Sequence, residues 1–322
     1  MKASAVHFDR REFIKLGSLL AASAALPGGF ARIFAAGLEK LTSNTPVLWI
    51  QGQSCSGDSV SLLNTQDPEP ADLLTRYISL VFHQNIGAAQ GQTFMDALDQ
   101  AAQLPDYLLV VEGSIPLAMP EACVIGGRPV EQILVQLIPS AKAVLAVGTC
   151  SAFGGIPAAE GNETGAGSVQ DLMKKYRLPW QGKLINCPSC PTHPKSIVGT
   201  LAYIAAKGYP QVDPDLLIPK MFYGISTHDQ CPRYHYYERK IFAKHFGDAE
   251  GCLFKLGCLG PLTHTECPHR QWNNGVNWCI RASAPCIGCS SPYFAKKKSF
   301  PFYRIGENHH PVDYTETDRK GD

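Results

Sequence analysis

The sequence has no surplus of charge of either sign: 29 Lys and Arg stand against 28 Asp and Glu, a net charge of +1 with a pI near 7.5. That excludes the electrostatic footprint of a nucleic-acid binder, which displaces counterions with a basic face. It also lacks a long hydrophobic run. The apolar stretch 16–26 is interrupted by Gly17, Ser18 and Ser23 and falls short of the roughly twenty residues that span a bilayer; no second stretch reaches that length. Within residues 251–292 there is neither a sustained helical period nor a strand alternation, so apolar burial alone cannot organise that region.

What that region does have is cysteine. Cys252, Cys258, Cys267, Cys279, Cys286 and Cys289 fall inside it, six of the twelve in the chain. Thiolates gathered around metal can substitute for a core, because ligand-binding free energy then becomes folding free energy. Cys267, Cys279, Cys286 and Cys289, with Pro292 three residues beyond, suit an iron–sulfur cluster held by four thiolates. Two rival readings stay open. An even cysteine count in an exported chain fits a disulfide framework, although 322 residues with 45% hydrophobic content can bury a core without one. Zinc is the other, but the spacing of two close ligand pairs is missing.

The N-terminus bears on the choice. Arg10-Arg11 followed by the apolar stretch and by Ala35-Ala36-Gly37 reads as a twin-arginine export signal over residues 1–36, removed after use. That route carries folded proteins, so metal centres can be inserted in the cytoplasm before export.

Residues 47–50, 107–111, 143–147 and 183–186 read as buried parallel strands, and 93–103, 129–138 and 194–207 as helices. The expected fold is α/β, a flavodoxin-like doubly wound parallel sheet over residues 45–215, followed by a mostly irregular iron–sulfur domain over 220–305 and a polar tail over 306–322. Cys55, Glu112, Cys150, and the pair Cys187 and Cys190 each follow one of the four strands. In open α/β sheets these carboxyl-end loops converge on one crevice. Gly52, Gly57, Gly148, Gly154 and Gly155 would let backbone approach a bound group closely.

The segments GQSCSGDSVSLLN, VVEGSIP, AVGTCSAFGGIPAA, CPTHPKSIVGTL, THDQCPR, CLFKLGCLGP, ECPHRQWNNGVNW and PCIGCSSP resemble the small, electron-transferring subunit of the nickel–iron hydrogenases over nearly the whole mature chain. The resemblance implies three iron–sulfur clusters here and a hydrogenase activity whose nickel–iron site lies on a separate, obligate large subunit. By similarity, His228, Cys231, Cys252 and Cys258 bind a distal 4Fe–4S cluster. The medial position departs from the commonest family pattern: Cys279 stands where proline is usual, so Cys267, Cys279, Cys286 and Cys289 imply 4Fe–4S, with 3Fe–4S and an unliganded Cys279 as runner-up. The proximal position departs further. Asp58 replaces a family cysteine beside Cys55, Cys150 and Cys190, and Cys187 offers an alternate fourth ligand.

Asp58 and Cys187 together motivate an expectation of oxygen tolerance. Glu112 is expected either on a proton path or as a carboxylate fixed by backbone donors, and Cys123 as a packed structural residue. Lys296, Lys297 and Lys298 could steer an acidic electron acceptor, a cytochrome or a membrane-bound redox subunit. The reading as a whole is a periplasmic hydrogenase small subunit without a transmembrane helix of its own and without nucleic acid as partner. A stand-alone, exported ferredoxin-like carrier is the alternative.

Overall fold

The computed structural model describes residues 45–295 together with positions 33 and 36. The export signal, Lys296 to Lys298 and the polar tail lie outside the described residues.

Five strands, β1 Pro46–Gln51, β2 Ser79–His83, β3 Leu108–Glu112, β4 Ala143–Val147 and β5 Leu184–Cys187, form one parallel sheet in the order β2-β1-β3-β4-β5. This is the flavodoxin order, with its topological switch between β1 and β3. Four strands lie within a residue or two of their expected bounds. The fifth, β2, carries no sequence expectation because it is an edge strand buried only at Phe82 and His83, with Val81 exposed, so its apolar pattern is weak.

Successive strand residues alternate between two cores. Val47, Trp49, Val110, Leu145, Ile185 and Cys187 face α6, Pro194–Lys207, through its Ile197, Val198 and Leu201. Leu48, Ile50, Leu109, Val144 and Leu184 face α2, Gly91–Ala101, α3, Val130–Leu137, and α5, Val169–Lys175. Most of these side chains are wholly buried, and each contributes about 1.5–3 kcal/mol by leaving water. Two short helices occupy the carboxyl edge of the sheet: α1, Gly57–Leu62, after β1, and α4, Thr149–Phe153, after β4.

Among the described residues beyond 219, the short helices α7, Lys220–Tyr223, α8, Tyr234–Glu238, and α9, Cys267–Arg270, interrupt turns and 3-10 segments. A small core of Ala243, Leu253, Leu256, Trp278 and Ile280 packs directly on Cys258 and Cys286. This part docks on the sheet's carboxyl edge. Thr149 Oγ1 donates to the Cys289 carbonyl, and His193 Nε2 lies 3.1 Å from the Gln271 carbonyl. No described helix is long and apolar enough to cross a membrane.

Candidate functional site

The crevice opens where β1 and β3 end. Glu112, the last residue of β3, is 1% exposed and turns its carboxylate toward α1. Its Oε1 accepts the Asp58 and Ser59 amides at 3.0 and 3.3 Å; its Oε2 accepts the Trp49 indole at 2.9 Å, the Gln51 amide at 3.0 Å and the Ser59 hydroxyl. Five donors saturate a carboxylate's lone pairs. Of the two roles expected for Glu112, this is the geometry of the fixed structural carboxylate.

Asp58 is thereby held facing inward. Its Oδ1 accepts the Thr192 amide at 2.7 Å, and a Cβ on Gly148 would fall 2.1 Å from its Oδ2, so glycine is required there, at φ +87°. Gly155, at φ +53°, gives the same clearance to Cys150, whose Sγ would meet its Cβ at 2.8 Å. Burial, then the Glu112 charge, pushes Asp58 up to about 8 against the donors of Thr192. Burial pushes Cys150 up to about 11, with Asp58, Cys55 and Glu112 repelling its thiolate. Cys190 rises to about 12 by burial and by repulsion from Cys150, Cys289, Asp58 and Cys55. Four acidic groups thus share one neighbourhood, and the charges acting on them are negative. A bound cation would hold such groups ionised.

Cys187 lies near enough for the Asp58 charge to repel its thiolate, but its side chain turns another way. β5 runs through it, and strand alternation turns it onto the same face as Ile185, toward α6. It is fully buried, its Sγ 3.5 Å from Thr200 Oγ1, and burial pushes its thiol up to about 12. Cys123 packs, partly buried, against the second core.

His228, Cys231, Cys252 and Cys258 line a single cavity in the C-terminal part. The His228 ring sits edge-on to Tyr237 and Tyr234, centroids 4.6 and 5.1 Å away, and burial holds it below its ordinary pKa, so it presents a neutral nitrogen. Burial raises Cys258 to about 11, with Cys231 and Cys252 adding repulsion. Main-chain amides point at these sulfurs: Arg233 N lies 3.4 Å from Cys231 Sγ and Cys286 N 3.4 Å from Cys258 Sγ. Such donors stabilise ligating thiolates.

Between these two groups lie Cys267, Cys279, Cys286 and Cys289. Burial and then Cys289, together with Cys279, push Cys267 up to about 12, while Cys286 is raised by burial and by Cys258, Cys289 and Cys279. Cys289 neighbours Cys190 on one side, and Cys286 neighbours Cys258 on the other, so the three groups form a row.

All twelve cysteines are free, which removes the disulfide reading. Among the described residues no three His, Cys, Asp or Glu side chains are gathered around one point. A cluster differs because each ligand meets its own iron and the sulfurs stay apart. The acidic, amide-lined groups therefore fit iron–sulfur clusters better than either rival.

Three supporting residues had no expectation from sequence. Thr192 takes the Gly148 amide at 2.9 Å while donating to the Cys187 carbonyl at 2.6 Å, which ties the loops after β4 and β5. Ser189 Oγ lies 3.8 Å from Cys289 Sγ. Arg233 reaches the Gly251 and Asp248 carbonyls and Ser283 Oγ at 2.8–3.0 Å. The only local signal for the first two was their place within the loop that carries Cys190.

A flavodoxin-ordered domain whose switch-point crevice leads into a row of unpaired thiols defines a thiol-rich electron-transfer protein. Residues 223–303 match the family described as the C-terminal part of the NiFe/NiFeSe hydrogenase small subunit, and residues 55–204 that described as NADH ubiquinone oxidoreductase, 20 Kd subunit. The chain is 40% identical to the periplasmic [NiFeSe] hydrogenase small subunit of Desulfomicrobium baculatum, over 92% of this chain and 98% of that protein. It is 36% identical to the hydrogenase-2 small chain of Escherichia coli K12, over 88% and 76%. The crystal structure of the reduced, active Ni-Fe-Se hydrogenase from D. baculatum superposes with a TM-score of 0.76 at 39% identity, covering 81% of this chain and 99% of that one. The chain belongs to the family of NiFe and NiFeSe hydrogenase small subunits.

Proposed function

We propose that this chain, paired with a hydrogenase large subunit that carries the nickel–iron centre, conducts electrons from H2 oxidation to an external acceptor. Iron–sulfur clusters, when bound, supply one-electron chemistry at each station. Cys55, Asp58, Cys150 and Cys190 hold the proximal cluster; Cys267, Cys279, Cys286 and Cys289 the medial; His228, Cys231, Cys252 and Cys258 the distal. All three are of the 4Fe–4S type, since each set offers four ligands. The observation that carries this reading is the row itself: Cys190 beside Cys289, and Cys286 beside Cys258, leave no station isolated.

The ligand types tune the stations. Neutral His228 removes one negative charge from the distal site and raises its potential, whereas Cys279 adds one to the medial site and lowers it. Asp58 is a harder ligand than thiolate and favours the oxidised proximal cluster, which motivates oxygen tolerance. Asp58 is preferred to Cys187 as fourth ligand because the Cys187 thiol faces Thr200 across the α6 core. The periplasmic relatives and the twin-arginine pattern support export of the folded protein, and an exposed acceptor, a cytochrome or a membrane-bound redox subunit, is the partner at the distal end.

The test is iron content and low-temperature paramagnetic resonance of the purified heterodimer, oxidised and reduced. About twelve irons per small subunit, no three-iron signal, and a proximal resonance unlike an all-thiolate cluster are expected. A three-iron signal refutes the medial assignment. A stable single chain without a nickel-bearing companion refutes the subunit reading in favour of a free carrier.

A further inference from the structure

His83 ends β2, the edge strand, and is 1% exposed, yet it belongs to none of the ligand sets. Its ring is tied at both nitrogens. Nδ1 accepts the main-chain amides of Asn85 and Ile86 at 3.0 and 3.3 Å, so it carries no proton. The ring proton therefore sits on Nε2, which lies 3.1 Å from Ser59 Oγ. Ser59 Oγ also accepts the Gln51 amide at 2.9 Å. With both lone pairs taken, its own proton has one direction left, and Glu112 Oε2 is there to receive it. The other oxygen of Glu112 takes the amides of Asp58 and Ser59, in the first turn of α1. Trp49, itself bonded to Glu112, packs its ring 5.4 Å from that of His83. Burial, against the Glu112 charge, holds His83 down to about 4, which favours the neutral ring.

We propose that His83 is a positioning residue of the proximal site: acting through Ser59 and Glu112, it fixes the first turn of α1 and with it the presentation of Asp58 and Cys55. Donation runs from His83 to Ser59 to Glu112, and the other oxygen of Glu112 accepts the amides that set where Asp58 begins its side chain. Removing the first donor releases the Ser59 hydroxyl from its one orientation. The Glu112 carboxylate then loses one of its five donors, and its hold on the first turn of α1 loosens. This inference rests on the reading of Asp58 and Cys55 as proximal ligands.

The test compares His83→Phe with His83→Gln in the heterodimer. Phenylalanine keeps the packing on Trp49 but removes donor and acceptor; glutamine restores a donor and an acceptor. Two readouts are used, amide hydrogen exchange across residues 55–62 and the resonance and midpoint potential of each cluster. In His83→Phe the Asp58 and Ser59 amides should exchange about tenfold faster. The proximal resonance and midpoint should shift while the medial and distal ones keep theirs, and His83→Gln should return both readouts toward wild type. Unchanged exchange and an unchanged proximal midpoint in His83→Phe overturn the proposal. So do equal changes at all three stations, which signify general loosening. A wild-type heterodimer with no proximal cluster at all overturns the proximal reading as well, a result separable from the others because it needs no variant.

Discussion

Two carboxylates a few ångströms apart serve opposite ends at the residue scale. Glu112 has five donors and no lone pair to spare, so Glu112→Gln, which turns an NH2 group against those donors, should cost on the order of 2 kcal/mol and melt the heterodimer earlier. Asp58 has one main-chain donor and sits among thiols, its pKa pushed up by burial and then by Glu112. Asp58→Cys should convert the proximal site to four thiolates. The expected outcome is retained iron, an altered proximal resonance and greater sensitivity of H2 oxidation to oxygen; unchanged spectra and sensitivity would remove Asp58 from the ligand set.

Among the elements, the short segments at the carboxyl edge of the sheet matter most, since they place the proposed ligands rather than build core. Gly148 is the N-cap of α4, and its positive φ and close approach to Asp58 leave no room for a side chain. Gly148→Ala should displace Asp58 and remove about a third of the bound iron, with the medial and distal resonances intact. Gly161 is the control. It shares a positive φ, +85°, but a Cβ there meets nothing within 4 Å, so Gly161→Ala should cost only about 1 kcal/mol of backbone strain and leave iron content unchanged.

Across the whole molecule, the C-terminal part and the sheet are held together close to where electrons would cross. His193 caps α6 through Nδ1, which accepts the Lys195 amide at 3.2 Å, while Nε2 donates to the Gln271 carbonyl of the C-terminal part. Burial, then Arg270 and Lys195, push its pKa down to about 3. The unfolded chain, with an ordinary histidine near 6.5, takes up the proton first. The contribution is therefore complete above pH 6.5 and is lost as pH falls toward 3, at up to about 1.4 kcal/mol per pH unit. His193→Asn keeps a capping acceptor and should show a shallower loss of stability than wild type between those limits, measured by thermal melting of the heterodimer across pH. Equal slopes would mean that His193 is not the group that couples the two parts to acid.

Much of this was legible along the chain. The strands that end at Glu112 or just before Cys55, Cys150 and Cys190 could be read from apolar runs, and the topology of an open sheet brings these ends together whatever the side chains are. His228, Cys231, Cys252 and Cys258, which line one cavity, could be named as a set through the resemblance of their segments to hydrogenase small subunits. Cys187 could not be judged that way. In sequence it stands three residues before Cys190 and looks like its pair; in the fold β5 extends through it, and the two-residue period of a strand commits its side chain to the α6 core. His83 and Ser59 are equally silent in sequence, because the hydrogen bonds that give them meaning join residues 24 and 53 positions apart. Residue types and their order, and hence the chemistry available, were determined by the sequence itself. Which face each side chain turns to, and which distant donors meet at one carboxylate, was decided only by packing in three dimensions, since strand parity and the burial of polar groups are settled by neighbours that the chain brings from far away.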